Sequence, residues 1–394
     1  VLTLIAGGAV AQALPLLLGP LLTRLYAPRD FGIYHLFAAV AANVAVVACA
    51  RYEFALPLAR DDDEAQALRV LCLRLLVMVT GLSTLAAVAW AWSIGVAWPL
   101  WLPAAVAALG GVSLATLWAT REQRFHALAA GRIAQYGGAS LAQAAGGALH
   151  AGVGGLIAGP IAAALGAAAL LRLPLRGGGE LSTERLMEVA QRHREFPLLN
   201  TPHAFAGALQ DTLSVALIAA AQGPAAAGFW GLSLRYLKAP ATLVGGAVSQ
   251  VLYPRLAQAG AGPTAESRRA LLQVMAALAA IAAPLVLLLW AFAPWAFEQA
   301  FGAPWREAGE LARALALYIG AHFVAAPLAV VTMAWNAQAW ALRLALIGQV
   351  MFVVALAGGL RAGGLAGAGW AVSVAMCLYF GWYVWKLATW KVQP

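Results

Sequence analysis

Twelve apolar stretches of about 20 residues or more, separated by short connections, limit this chain more than any other feature. At ~1.5 Å rise per residue, each is long enough as a helix to cross the ~30 Å hydrocarbon layer of a bilayer. Hydrocarbon offers no water to the backbone, so spans of this length must satisfy their peptide groups internally as α-helices. Breaks at charged or turn-rich points place them near 1–24, 32–50, 67–92, 97–119, 128–149, 151–171, 198–221, 225–250, 269–294, 308–334, 339–360 and 363–386. With 63% hydrophobic and 10% charged residues and a mean hydropathy of +0.79, a soluble domain is excluded. The first stretch lacks a basic leader and runs straight into the second, so it is expected to be a span rather than a cleavable signal peptide.

The basic residues supply an orientation. Eighteen of the twenty-five fall in alternate connections: Arg51, Arg60, Arg69, Arg74, Arg121, Arg124, Arg132, Arg172, Arg176, Arg185, Arg192, Arg194, Arg255, Arg268, Arg269, Arg343, Lys386 and Lys391. The opposite connections hold Arg24, Arg29, Arg306, Arg313 and Arg361. Under the positive-inside bias, both termini are expected in the cytoplasm, with the chain in the inner membrane of a bacterium. The net charge of +9 is then explained by head groups and topology, not by nucleic acid. Cys49, Cys72 and Cys377 are isolated in apolar surroundings, without paired metal-site or disulfide spacing, and read as small core residues; no cofactor is expected.

The longest connection, 172–197, divides the chain into an N-terminal six-helix lobe (1–171) and a C-terminal one (198–394). It opens on the flexible run Gly177-Gly178-Gly179, then predicts a short helix with Ser182 or Thr183 as N-cap and Glu184 in its first turn. Leu186, Val189 and Ala190 form its apolar face, while Arg185, Glu188 and Arg192 face away; this suits a helix at the inner membrane surface. A plain linker and a coupling helix are both open for it. At an offset of roughly 196 residues, the turn and aromatic pair around Tyr26–Tyr34 correspond to those around Gln222–Trp230, and Arg51-Tyr52 to Tyr253-Pro254-Arg255 ahead of the Gly-rich 259–262 loop. Six spans per half predict parallel repeats about an axis normal to the membrane, an arrangement used by transporters.

The segments LLGPLLTRLYAPRDFGIYHLF (17–37), RYEFALPLARDDDEA (51–65), EFPLLNTPHAF (195–205) and GPAAAGFWGLSLRYLKAPATLVGGAVSQVLYPRLAQ (223–258) resemble the Wzx-type oligosaccharide or polysaccharide flippases. The resemblance extends in order over nearly the whole chain. It implies an all-α polytopic fold of the superfamily that includes MATE exporters and the lipid II flippase MurJ, with two six-helix lobes around a V-shaped cavity working by alternating access. It further implies that an undecaprenyl-pyrophosphate-linked oligosaccharide, such as an O-antigen repeat unit, moves from the cytoplasmic to the periplasmic leaflet. Polymerases and glycosyltransferases of the same polysaccharide are then expected partners, besides membrane lipids. Leu17 and Leu18 stand where the lipid II branch carries an Arg-Asp pair, which argues against a peptidoglycan precursor as substrate.

A pyrophosphate and its sugars cannot cross hydrocarbon without a hydrated, cationic path. Arg235 and Lys238, three residues apart on one face of the eighth span, are the candidates for lining it. Guanidinium suits bidentate phosphate contact, and ammonium acts as a mobile point charge. Asp211 stands as far before the Gly223 turn as Arg235 stands after it, hence at a similar depth. Two readings are open for it: a structural lock on Arg235, or a switch that competes with phosphate or takes a coupling H+ or Na+. Lone polar residues Asn43, Gln349 and His322, with Gln12, Asn200 and His203, are further candidates for the sugar path, and His322 could titrate. Arg24 at an outer helix end snorkels or helps close the cavity. Arg51, Arg69 and Arg74, with Glu53, would form an inner vestibule for the head group, and the acidic run Asp61–Glu64 a solvated loop.

Pro15 and Pro20 in the first span, and Pro240 with Gly245-Gly246 in the eighth, predict bent helices. The Gly pairs at 137–138 and 146–147 in span five and 154–155 in span six, with Gly159-Pro160, predict tight packing within the N-terminal lobe. A MATE-like cation-coupled exporter is the alternative function on the same fold, though Asp211 is chiefly what it would have for a cavity carboxylate. A membrane glycosyltransferase or polymerase would need acidic or histidine groups on a sizeable outer loop, and the outer loops are short. No GxxxxGK loop is present, so energy is expected from an ion gradient, membrane potential or product consumption.

Overall fold

A computed structural model of the chain describes residues 2–174, 182–258 and 263–390. Arg176, the Gly177-Gly178-Gly179 run, the 259–262 loop and Lys391 lie outside the described residues, as do the side chains of Tyr253 and Arg255. The protein is an all-α polytopic membrane protein, and no strand occurs among the described residues. Seven described helices or helix runs are long and apolar enough to span a bilayer. Their exposed apolar side chains, such as Val77 and Leu85 on one and Leu287 and Trp290 on another, form the surface that hydrocarbon would solvate.

The chain divides into two compact units, Val1–Thr212 and Leu213–Pro394. In the first, span one is two helices, α1 (Leu2–Leu17) and α2 (Gly19–Leu25), interrupted at Leu18 between Pro15 and Pro20. The interruption is slight: Leu18 keeps helical dihedrals (φ −81°, ψ −12°), and the Leu18 and Leu22 N–H groups still donate to the Leu14 and Leu18 carbonyls at 3.0 Å. There follow α3 (Pro28–Val46), α4 (Asp62–Ile94), α5 (Leu102–Arg121), α6 (Phe125–Ala148), α7 (Gly152–Leu170) and α8 (Thr183–Arg192). Leu68, Val106, Leu114, Leu156 and Ile157 are at most 1% exposed and centre the core of this unit.

Helices α6 and α7 meet through glycine as expected. A Cβ on Gly146 would stand 2.9 Å from Gly155 Cα, and one on Gly155 would stand 3.1 Å from Gly146 Cα. The backbones thus touch, which only hydrogen side chains allow. Beside this crossing, Tyr26 Oη donates to the Gln143 carbonyl at 2.7 Å, and Gln143 Nε2 donates to the Leu156 carbonyl at 2.9 Å. These bonds satisfy polar groups that no water would reach.

Helix α9 (Thr201–Gln222), preceded by a π-turn at Phe196–Asn200, contains the unit boundary. Gly223, at φ +85°, turns the chain into α10 (Pro224–Gln258), with Pro224 at the first helical position where a missing N–H costs nothing. Helix α10 continues through Pro240 and Gly245-Gly246 without interruption. Then come α11 (Ala265–Phe301), α12 (Arg306–Ala314), α13 (Ala316–Ala325), a 3-10 turn at Ala326–Leu328, α14 (Ala329–Ala334) and α15 (Gln338–Ala388). The predicted span 308–334 is thus a chain of short helices, its last break falling at Pro327. The two spans predicted over 339–386 are continuous except at Gly363 (φ −157°, ψ 28°) and Gly364 (φ 59°, ψ −146°), the second a conformation open to glycine. Leu256, Leu271, Leu328 and Val331 are fully buried in the second unit's core.

Candidate cationic site and inner-face network

The second unit brings two of the predicted residues close to a common neighbour. Arg235 and Lys238, both half-buried, lie one turn apart on α10. Lys238 Nζ lies 5.8 Å from the centroid of Tyr318, a ring only 3% exposed on α13. One turn further along α13, the His322 ring lies 5.9 Å from Tyr318 and 5.7 Å from Phe380 on α15. Phe352 completes the aromatic surround, 5.9 Å from Tyr318. A lysine beside an aromatic face keeps part of its electrostatic stabilisation when water is withdrawn. His322 Nδ1 is buried without a hydrogen-bond partner among the described residues. Lys238 and His322 thus share one ring, a proximity that no sequence spacing across eighty residues could reveal.

The remaining candidates are dispersed. Asp211 is exposed on α9, and Gln349 is half-buried on α15 beside Gly348, against which Tyr379 packs. Asn43 on α3 is 6% exposed, and its Nδ2 has no hydrogen-bond partner among the described residues. Arg24 ends α2 exposed, Arg74 is exposed on α4, and Gln12, Asn200 and His203 are also exposed.

The expected inner vestibule is largely tied into the first unit. Arg69 is 2% exposed, donates to the Pro174 carbonyl and lies 5.5 Å from the Trp118 ring. Glu53 is 4% exposed; burial pushes its carboxyl above the usual range, while its own N–H and the Arg51 charge oppose the shift. Arg51 adopts a left-handed conformation (φ 62°), with its guanidinium 4.1 Å above Phe54. Arg121 donates to the carbonyls of Ala59 (2.8 Å) and Asp61 (3.0 Å) and pairs with Asp62 at 3.0 Å. Arg124 donates to the Leu171 carbonyl. These arginines satisfy chain ends that the helices leave bare.

The acidic run is likewise more than a solvated loop. Asp61 caps α4 by accepting the Glu64 N–H at 2.7 Å, and Glu64 accepts the Arg60 N–H at 2.8 Å. Glu64 is only 1% exposed because the connecting helix docks over it: Arg192 Nη1 lies 3.1 Å and His193 Nε2 3.0 Å from Oε1. Glu64 stands in the polar first turn ahead of the apolar span; burial raises its pKa, but the donors from Arg60, His193 and Arg192 outweigh that and hold it at about 2. Arg192, expected to face away, instead turns inward to this carboxylate. The helix is otherwise as predicted: Ser182 accepts the Arg185 N–H at 3.2 Å, and Leu186 and Val189 are buried. Tyr52 Oη adds a bond to the Ala190 carbonyl at 3.1 Å. Sequence reasoning missed Glu64 and His193, although the Asp61-x-x-Glu64 spacing carries a capping signature.

Comparison with known proteins accords with this architecture. Among curated proteins, none matches the chain in sequence. Solved structures match its fold along nearly its whole length. An inward-facing multidrug resistance MATE family transporter of the MOP superfamily aligns with TM-score 0.70 and 14% identity, over 97% of this chain and 96% of its own. The lipid II flippase MurJ in an inward closed conformation gives TM-score 0.75 and 10% identity, over 98% of this chain and 87% of its own. A Vibrio cholerae MATE transporter gives TM-score 0.53 and 13% identity, covering 98% and 94%. The family described as "Polysaccharide biosynthesis protein" matches residues 21–310. With a family match over residues 21–310, the chain belongs to the polysaccharide biosynthesis protein family, and its fold is the one seen in the MATE transporters and MurJ.

Proposed function

We propose that this protein is a flippase that carries a polyprenyl-pyrophosphate-linked oligosaccharide from the cytoplasmic to the periplasmic leaflet of a bacterial inner membrane by alternating access. The family match over residues 21–310, in a chain with a transporter fold, carries this reading. Arg235 and Lys238 bind the pyrophosphate or acidic sugars. Their half-buried positions on α10 and the aromatic face beside Lys238 support the role, because a cation kept charged at depth is suited to an anionic cargo. The two six-helix lobes, 1–171 and 198–394, move about the 172–197 connection, with both termini in the cytoplasm. Lipid-linked sugar enters from glycosyltransferases on the inner side and leaves to a polymerase on the outer side.

Reconstitution into liposomes with a lipid-linked oligosaccharide tests the reading through leaflet exchange. Exchange above that of protein-free vesicles is expected; its absence in well-folded wild type would refute the flippase. Asp211→Asn separates the two roles of that residue. Preserved exchange with lowered stability identifies a lock on Arg235, and lost exchange with unchanged stability identifies a switch governed by H+ or Na+.

A further inference from the structure

The first unit contains a cluster that flipping does not use. Cys49 lies in the turn that ends α3, Glu53 in the 3-10 segment Tyr52–Leu58, and Cys72 on α4. The two Sγ atoms and a Glu53 carboxylate oxygen all lie within 4.8 Å of one another. The three residues are 3%, 4% and 0% exposed. Left-handed backbone at Ala50 (φ 47°) and Arg51 (φ 62°) curls the chain tightly between Cys49 and Glu53. Glu53 Oε2 is buried with no hydrogen-bond partner among the described residues.

A carboxylate oxygen left bare in a closed space beside two thiols is costly unless something is held there. Cys49 Sγ contacts the Cys72 carbonyl at 3.6 Å and also the Cys72 thiol, and neither contact reaches Glu53 Oε2. We propose that Cys49, Cys72 and Glu53 bind a thiophilic divalent cation, Zn2+ by class, pinning the α3–α4 connection to α4. Two sulfurs and one oxygen are a Zn2+ donor set, and thiolate ligands select it over hard cations such as Mg2+ or Ca2+. Tetrahedral bonds of ~2.3 Å to sulfur and ~2.1 Å to oxygen place ligand atoms about 3.5–3.8 Å apart. The present separations therefore need to close by about 1 Å or less, a change within reach of side-chain rotation. Two thiolates and one carboxylate leave a single negative charge around the dication, and the Arg51 charge acts on the same carboxylate. Two protons leave the thiols on binding, so uptake releases acid.

The test uses the full-length protein in detergent, stripped of metal under reducing conditions and titrated with Co2+, then with Zn2+. A thiolate-to-cobalt charge-transfer band saturating at one ion per chain and displaced by Zn2+ is expected. Cys49→Ala and Cys72→Ala should each abolish the band, while Cys377→Ala should leave it intact as the control thiol. Glu53→Gln should keep the sulfur band but weaken affinity by at least the ~10-fold that even an outer-shell group contributes. No band in folded wild type, or a band unchanged by both cysteine substitutions, overturns the proposal. So does loss of two free thiols to a disulfide in the purified protein, which would make the pair a redox element. Should a variant fail to fold, the wild-type titration alone decides.

Discussion

The α4 end of the first unit and the α10–α13 region of the second surround their charges differently. In the first, Arg69, Arg121, Arg124 and Arg192 are committed to carbonyls or to Asp62 and Glu64, so their positive charge holds connections to helix ends. In the second, Lys238 is set over an aromatic ring in a region whose described neighbours include Tyr318, His322 and Phe380. A cation hydrogen-bonded to backbone is difficult to recruit for a moving anion. Positive charge in this chain is thus not one kind of evidence: carbonyls and carboxylates surround it in the first region, aromatic rings in the second.

Substitutions should separate the two regions by what they damage. Arg235→Ala and Lys238→Ala should each slow leaflet exchange about 10–100-fold, the loss of one charge-assisted phosphate contact of about 1.5–3 kcal/mol, while leaving thermal unfolding nearly unchanged. Equal exchange in both variants and wild type would erase the contrast. Glu64→Gln should do the reverse. It leaves the Arg192 and His193 donors without an anion, lowering stability by about 1–3 kcal/mol and raising hydrogen exchange across α8. Unchanged protection of α8 would show that Leu186 and Val189 alone hold the helix.

Acid provides a milder probe of the same latch. Because Glu64 is held at about 2, below the ordinary carboxylate value of about 4.3, its contribution is complete above about pH 4.5 and fades as pH falls toward about 2. Limited proteolysis within the 172–197 connection should therefore be slow at pH 5 and quicken as pH is lowered, with the dependence flattened in Glu64→Gln. The smallest effect is expected at Tyr318→Leu, which keeps the volume apolar but removes the ring beneath Lys238. A loss of about 0.5–1 kcal/mol should appear as a ~2–5-fold change in exchange. No change there, with a strong effect at Lys238, would confine the role to the ammonium group itself.

Much of this was legible in the residues because hydrocarbon imposes a strict rule on length and polarity. The apolar stretches map onto helices, the glycines at 146 and 155 mark the α6–α7 contact, and Ser182 begins the connecting helix. Proline chemistry marks the junction at Leu18 in the first span. Two features were not legible. Arg192 was assigned to the solvent face because helical periodicity describes one helix alone, and Glu64 joins it only through a docking 128 residues away in sequence. Glu53, Cys49 and Cys72 look unremarkable in spacing, since a left-handed turn and a neighbouring helix bring them together.

The sequence by itself determined a helical membrane protein and the stretches that become its helices, because each follows from local hydropathy, proline and glycine. Tertiary structure alone decided which charges are satisfied by backbone, which lie against aromatic rings and which ligating atoms converge. Such pairings depend on the directions of side chains from separate helices, and no one-dimensional pattern records those directions.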